Sequence, residues 1–205
     1  EGDFRGRKGG IEKAIEGMNG YVGQLKQYFA ERGLEEIYSL TIPIVESQVR
    51  TEAISEKGAF GTHQIKRDTA LRRGAMITDN YDERKNLLRA GEITAREFAA
   101  NLNEIKKLMP EISEEEQARL ALAAHNSGSL PWKFRFSNED NYFSFLGKIL
   151  EKNPRRKTKI GKYAHQNLYF LVDNEAAKLY IERNHPELLE TAAENSSFFY
   201  EVREE

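Results

Sequence analysis

Apolar residues near the start of the chain recur at three- and four-residue steps. Ile11, Ala14, Ile15, Met18, Tyr21, Val22, Leu25, Tyr28 and Phe29 fall on one face, which predicts a single long amphipathic helix closed by Gly33. A second helical segment is expected from Leu34 through Leu40 and Ile44 to Glu46, bent at Pro43. Residues 47–63 lose the helical period and carry Gly58 and Gly61, so they read as a structured loop. Asp68 to Arg73 predicts a short helix ending at Gly74. Thr94 to Glu97 has the form of a capping box and should open a helix with Phe98, Leu102, Ile105 and Leu108 on its core face. Ser113 to Glu116 is a second capping box. It leads into Ala118, Leu120, Ala121, Leu122, Ala123 and Ala124, a run apolar nearly all round, as in a helix buried mid-bundle. Gly128 and Pro131 should end that helix, two more are expected near 140–152 and 158–183, and a short one begins near Pro186. Strand signals are weak and no repeat is visible, so the fold class expected is all-α or nearly so. The charged, glycine-rich residues 1–10 read as a flexible lead-in, 11–183 as one domain and 184–205 as a C-terminal helical tail.

Composition narrows the function classes. The 205 residues suffice for one domain with a real core, and 39% hydrophobic with 31% charged residues marks a globular chain. A formal net charge of −2 argues against a nucleic-acid binder held by the phosphate backbone. The basic run Arg155-Arg156-Lys157 reads first as a solvated helix end or loop. With no cysteine, disulfides, thiolate metal sites and cysteine nucleophiles are excluded. No apolar run approaches the roughly 18 residues of a membrane span. The four histidines have no ligand spacing and no phosphate-binding glycine loop follows a strand, so neither metal nor cofactor is expected.

The candidate chemistry starts at Glu46. It closes the apolar stretch Ile42-Pro43-Ile44-Val45 just before the irregular loop. A carboxyl so placed is partly desolvated, which raises its pKa and suits it to protonating a glycosidic oxygen. One glutamate among 33 acidic residues is weak evidence alone. The surrounding pattern strengthens it: Glu46-Ser47, then Ala53 and Ser55, then Gly58-Ala59, Gly61 and Gln64, then Thr69-Ala70. This order and spacing resembles the lytic transglycosylase domain related to goose-type lysozyme. A second stretch, Leu122 to Gly128 with His125-Asn126, resembles that family's A-L-A-A-Y-N-A-G motif. Tyr81 to Arg84 and Tyr21 to Val45 are similar to the membrane-bound lytic murein transglycosylase D type. The resemblance covers residues 20 to 135 and extends loosely to about 180.

Taken as a member of that family, the chain is expected to fold as a lysozyme-like helical domain with a catalytic cleft. It would cleave peptidoglycan glycan strands between N-acetylmuramic acid and N-acetylglucosamine and leave a 1,6-anhydro end. The resemblance makes Glu46 the single catalytic residue, acid first and base second. Its substrate-binding residues would be Ser55, Gly61, Gln64, His125, Asn126 and Tyr163. The partner is the glycan strand, with no nucleic acid, and the location is the cell envelope or periplasm, although no signal peptide is visible in the sequence. Alternatives on the same fold are a lysozyme-like hydrolase and a noncatalytic glycan-binding module.

Physical readings stand beside these roles. Gly58 and Gly61 are either turn glycines or places where a sugar approaches the main chain. Ser55 and Gln64 offer neutral donors and acceptors suited to hydroxyl and N-acetyl groups, or else serve as caps. Asn126 sits where a buried helix ends and is either a cap or a cleft residue. His125 stands in place of the family's usual tyrosine, either stacking on sugar with a pH-dependent charge or resting as a buried histidine. Val49 stands where a larger aromatic is common, and the proline often found after the Gln64 motif is missing. Tyr163 is the nearest counterpart of a tyrosine that helps orient the catalytic glutamate, though it also fits a core position. Asp82 is expected to pair with Arg84 in a loop-fixing role and Glu52 to be solvated. Trp132, Phe134 and Phe136 form either a sugar platform or core, and Phe198-Phe199-Tyr200 suggests a docking tail.

Overall fold

The computed structural model describes residues 8–128, 134, 137, 139–153 and 158–190. Among these, eight α-helices are joined by one two-stranded hairpin: α1 (Lys8–Met18), α2 (Val22–Ala30), α3 (Tyr38–Ser47), β1 (Ala59–Phe60), β2 (Ile65–Lys66), α4 (Arg67–Arg72), α5 (Leu87–Leu108), α6 (Glu114–Ser127), α7 (Tyr142–Lys152) and α8 (Lys159–Asn184). Short 3-10 turns lie at Glu83–Lys85 and Pro186–Leu189. The all-α expectation holds, with the antiparallel pair Ala59–Lys66 and Phe60–Ile65 as the exception, its first strand inside the expected loop and its second just past it. No helix among the described residues is long and apolar enough to cross a membrane. Trp132, Phe136, the Arg155–Lys157 run and the Phe198–Tyr200 tail lie outside the described residues. The chain forms two compact units, one from the described parts of 1–96 and 176–205, the other from 97–175.

In the first unit the expected long helix is two. Asn19 and Gly20 interrupt it, Gly20 taking φ +81, and Tyr21 N–H closes a turn on the Met18 carbonyl at 2.9 Å. The apolar periodicity survives the break because α1 and α2 both feed one core. Ile11, Ala14, Ile15 and Met18 pack there with Leu25, Leu40, Ile44, Ala177 and Ile181. Each isoleucine, leucine or methionine side chain among them contributes roughly 1.5–3 kcal/mol when fully buried. The first helix starts at Lys8, ahead of the expected Ile11, and α3 starts at Tyr38 rather than Leu34. Pro43 is accommodated inside α3, a helix buried at every position from Tyr38 to Ile44. A smaller cluster of Ile65, Ala70, Ala75, Ala90 and Ile93 sets the hairpin and α4 against α5.

Thr94 to Glu97 does not open a helix. Helix α5 starts seven residues earlier, where the Asn86 side chain accepts the Arg89 N–H at 3.0 Å. The sequence signature was misleading because a capping box needs only Thr and Glu at the right spacing, and Thr94 is instead buried mid-helix. Ser113 does cap α6, accepting the Glu116 N–H at 3.2 Å. The Glu116 carboxylate accepts from Tyr142 N–H and Arg119 instead of reaching back to Ser113. Ser113→Ala is therefore expected to cost about 1 kcal/mol. Thr94→Val, whose buried hydroxyl finds no partner among the described residues, should leave stability unchanged or raise it by up to about 1 kcal/mol. Urea titrations of the two variants beside the parent read both values.

The second unit is built on Phe98, Leu102 and Ile105 of α5, the alanine-rich α6, and the inner faces of α7 and α8. Phe134 is core: it is buried and meets Tyr142 and Phe145 edge-on at 5.6 and 5.8 Å. Helix α6 ends as expected, with Gly128 left-handed at φ +69 and its N–H on the Ala124 carbonyl at 2.9 Å.

Candidate active site

Glu46 occupies the last turn of α3, one residue before its end, with Ile44 and Val45 on its N-terminal side. The carboxyl is only partly exposed, and burial pushes it up to about 8. The negative end of the α3 dipole acts in the same direction. It borders a cavity of about 260 Å³ lined also by Ile11, Ile44, Val45, Ser47, Gln48 and Arg50. The backbone turns sharply just past it. Gln48 and Val49 are both left-handed, at φ 55 and φ 62, with Gln48 N–H on Ile44 and Val49 N–H on Pro43. A β-branched residue in that region costs on the order of 1–3 kcal/mol, and such strain collects at functional sites.

Ser47 ties this helix end to the loop. Its buried hydroxyl donates to the Thr62 carbonyl at 2.8 Å and accepts the Arg50 N–H at 3.0 Å. Arg50 returns its Nε to the Ser47 carbonyl at 2.8 Å. Three of the expected binding residues shape the same loop. The Ser55 hydroxyl accepts the Ala59 N–H at 2.9 Å, closing the turn around Gly58. Gln64, left-handed at φ 48, donates Nε2 to the carbonyls of Ala53 and Gly61 at 3.0 and 2.9 Å. With Nε2 held, the Gln64 amide oxygen is the end that retains acceptor capacity for a ligand hydroxyl. Gly61 is required by space as well as conformation, since a Cβ there would lie 2.0 Å from the Arg84 carbonyl oxygen.

Behind the loop, Arg84 acts as a brace. It binds Asp82 through Nε and Nη2, the latter at 2.6 Å, gives Nη1 to the Ile65 carbonyl at 3.0 Å, and lies over the Phe60 ring. The Arg84 hydrogen bonds hold the Asp82 carboxyl below its usual range. Asp82 is thus an ionised structural partner, as expected. Glu52 is exposed and paired with Lys85 at 3.2 Å. Asp82 is held ionised by its guanidinium partner and Glu52 lies at the surface, so neither is placed as Glu46 is.

His125, Asn126 and Tyr163 lie in the second unit; Asn126 and Tyr163 share a side-chain network, while the His125 ring is tilted against Phe170 at 6.4 Å. Gln166 donates to the Asn126 oxygen at 3.3 Å, and Asn126 donates to Asn167 at 3.4 Å. Buried Asn167 donates to the Tyr163 carbonyl at 3.1 Å, and the Tyr163 hydroxyl meets that of Tyr142 at 3.0 Å. Burial lowers the His125 pKa to about 4, which favours a neutral imidazole near pH 7 and the buried-histidine reading over a pH-dependent sugar contact. Gln166, Asn167 and Tyr142 were not singled out in the sequence. Their only signal is position, Gln166 and Asn167 falling three and four residues after Tyr163. Ser47 and Arg50 were equally silent beyond the Glu46-Ser47 pair. Among the described residues no cluster of three or more histidines or acids could hold a metal ion.

No curated protein matches the chain. A model of the transglycosylase SLT domain matches residues 25–143, a span running from α2 through the Glu46 loop and α6 to the start of α7. The chain belongs to the transglycosylase SLT domain family, whose members are peptidoglycan lytic transglycosylases.

Proposed function

We propose that the protein is a lytic transglycosylase acting on the bond between N-acetylmuramic acid and N-acetylglucosamine, with Glu46 as its single catalytic residue. The observation that carries this reading is a carboxyl held protonated near neutrality by burial at the end of α3. The protonated Glu46 gives its proton to the glycosidic oxygen as the bond to the muramic anomeric carbon breaks. The resulting carboxylate takes the proton from that sugar's own 6-hydroxyl, whose oxygen closes on the anomeric carbon. The proton returns to Glu46, no water is consumed, and the products are a free N-acetylglucosamine end and a 1,6-anhydro end.

Occupation of Asp82 by Arg84 supports a one-carboxylate route, because a two-carboxylate glycosidase needs a second free acid near the first. Ser55, Gly61 and Gln64, in the loop that follows Glu46, are one proposed set of sugar-binding residues, and His125, Asn126 and Tyr163, in the second unit, are the other set that the family resemblance implies. The stretches Tyr21 to Val45 and Tyr81 to Arg84 favour the D type of membrane-bound murein transglycosylases within the family, and the cell envelope is the proposed location. The domain proper spans 11–183, preceded by a lead-in and followed by a tail.

A pH–rate profile tests the role of Glu46. Because the acid must be protonated to act, kcat/KM for soluble glycan strands should hold through neutrality and fall about tenfold per pH unit above about 8. A decline that sets in near pH 4–5 would show that the carboxyl is ordinary and that another group supplies the proton.

A further inference from the structure

The Arg50 guanidinium is only half engaged. Its Nε donates to the Ser47 carbonyl at 2.8 Å, and the Arg50 backbone N–H donates to the Ser47 hydroxyl at 3.0 Å. Ser47 is itself buried and fixed by its bond to the Thr62 carbonyl. The arginine is therefore held at its backbone and at the root of its guanidinium. Its Nη1 and Nη2 meet no hydrogen-bond or ion-pair partner among the described residues. The residue is exposed and lines the cavity of about 260 Å³ that Glu46 borders. Among the described residues that line this cavity, Arg50 alone carries a positive charge.

We propose that Arg50 is a specificity-determining residue of the Glu46 site, its Nη pair binding a carboxylate carried by the muramic acid residue. A guanidinium fork matches a carboxylate in plane and spacing, and anchoring at Nε means that little side-chain freedom is lost on binding. Muramic acid differs from glucosamine by a lactyl ether that ends in a carboxyl group, or in a peptide stem with carboxylates of its own. A fixed cation is the chemistry that tells the two sugars apart. Glu46 does not compete for it while burial keeps that carboxyl protonated. Pockets that enclose whole ligands hold roughly 300–1,000 Å³, so this smaller cavity suits one substituent of a strand that continues outside it. The inference deepens the transglycosylase reading and rests on it.

The test is calorimetry on the full chain carrying Glu46→Gln, which removes turnover, with and without Arg50→Gln. The probes are peptide-free strands of alternating N-acetylglucosamine and N-acetylmuramic acid, the same strands bearing peptide stems, and chitin oligosaccharides, which have no carboxylate. Arg50→Gln should weaken binding of a muramic probe about fivefold and leave chitin binding unchanged. A loss on peptide-free strands places the carboxylate on the lactyl group, and a loss confined to stem-bearing strands places it on the stem. An equal loss on chitin would mean that Arg50 only shapes the Ser47 turn, and it overturns the proposal. Unchanged binding of both muramic probes overturns it too. Cleavage by the wild type separates the two readings. If it cleaves strands and Arg50→Gln shows no selective loss, the specificity role alone fails. If it cleaves none and the Glu46→Gln parent binds none, the enzymatic reading fails and this inference falls with it.

Discussion

Glu46→Gln is expected to reduce strand cleavage by at least about a thousandfold while making the protein more stable at neutral pH. The loss follows from chemistry, since an amide neither donates the proton nor takes it back. The gain follows from linkage. In the unfolded chain the carboxyl ionises near 4.5, whereas in the fold burial holds it protonated to about 8. A group whose folded pKa is raised gives its full stabilisation below the unfolded value and loses it as pH rises toward the folded one. For Glu46 that window runs from about 4.5 to about 8. One pH unit of linkage is worth about 1.4 kcal/mol, so the cost between pH 7 and 7.5 is about 3–4 kcal/mol. The neutral amide removes it. Urea melts of parent and variant at pH 4 and at pH 7.5 should coincide at the first and separate by that amount at the second. Equal stability at both would mean that the carboxyl is not desolvated.

Gly61→Ala should be the most damaging small substitution in the loop, costing about 4 kcal/mol or more. Two effects combine there. The residue holds φ +79, which any L side chain resists by about 1–2 kcal/mol, and the new methyl would stand 2.0 Å from the Arg84 carbonyl oxygen. That carbonyl belongs to the brace formed with Asp82 and Ile65, so it yields only if the brace moves. Gly58→Ala is the control. It shares the left-handed backbone at φ +75 but meets nothing within 4 Å, and should cost only about 1–2 kcal/mol. Denaturant midpoints separate the two glycines. Comparable losses would mean that the close approach at Gly61 does not govern the loop.

Those two glycines also mark where the sequence stops being informative. Their spacing is plain in the chain, but nothing local distinguishes the one packed against Arg84 from the one facing open space, because the neighbour is more than twenty residues away. The helices were legible where periodicity and caps agreed, as in α6, opened by Ser113 and closed by Gly128. They were misread where one signal stood alone. The apolar stripe from Ile11 to Phe29 ran straight across the Asn19-Gly20 break, and Thr94-Glu97 imitated a cap inside α5. Around the candidate site, Glu46 was legible from its apolar neighbours and motif. The left-handed pair Gln48-Val49 was not, since neither residue favours that conformation. The amide chain from Gln166 to Tyr163 was equally hidden, being a product of how α6 and α8 pack. His125 illustrates the limit from the other side: its identity allowed a pH-sensitive contact, and only its burial favours the neutral form.

Whether Glu46 directs an intramolecular attack rather than hydrolysis is written directly in the products. Purified peptidoglycan should be digested in ¹⁸O-labelled water and the released fragments analysed by mass spectrometry. Intramolecular attack should give 1,6-anhydromuramic ends that carry no label, and none of these products should come from the Glu46→Gln variant. Reducing muramic ends labelled at the anomeric oxygen, or anhydro ends still released by the variant at the parent's rate, would contradict it.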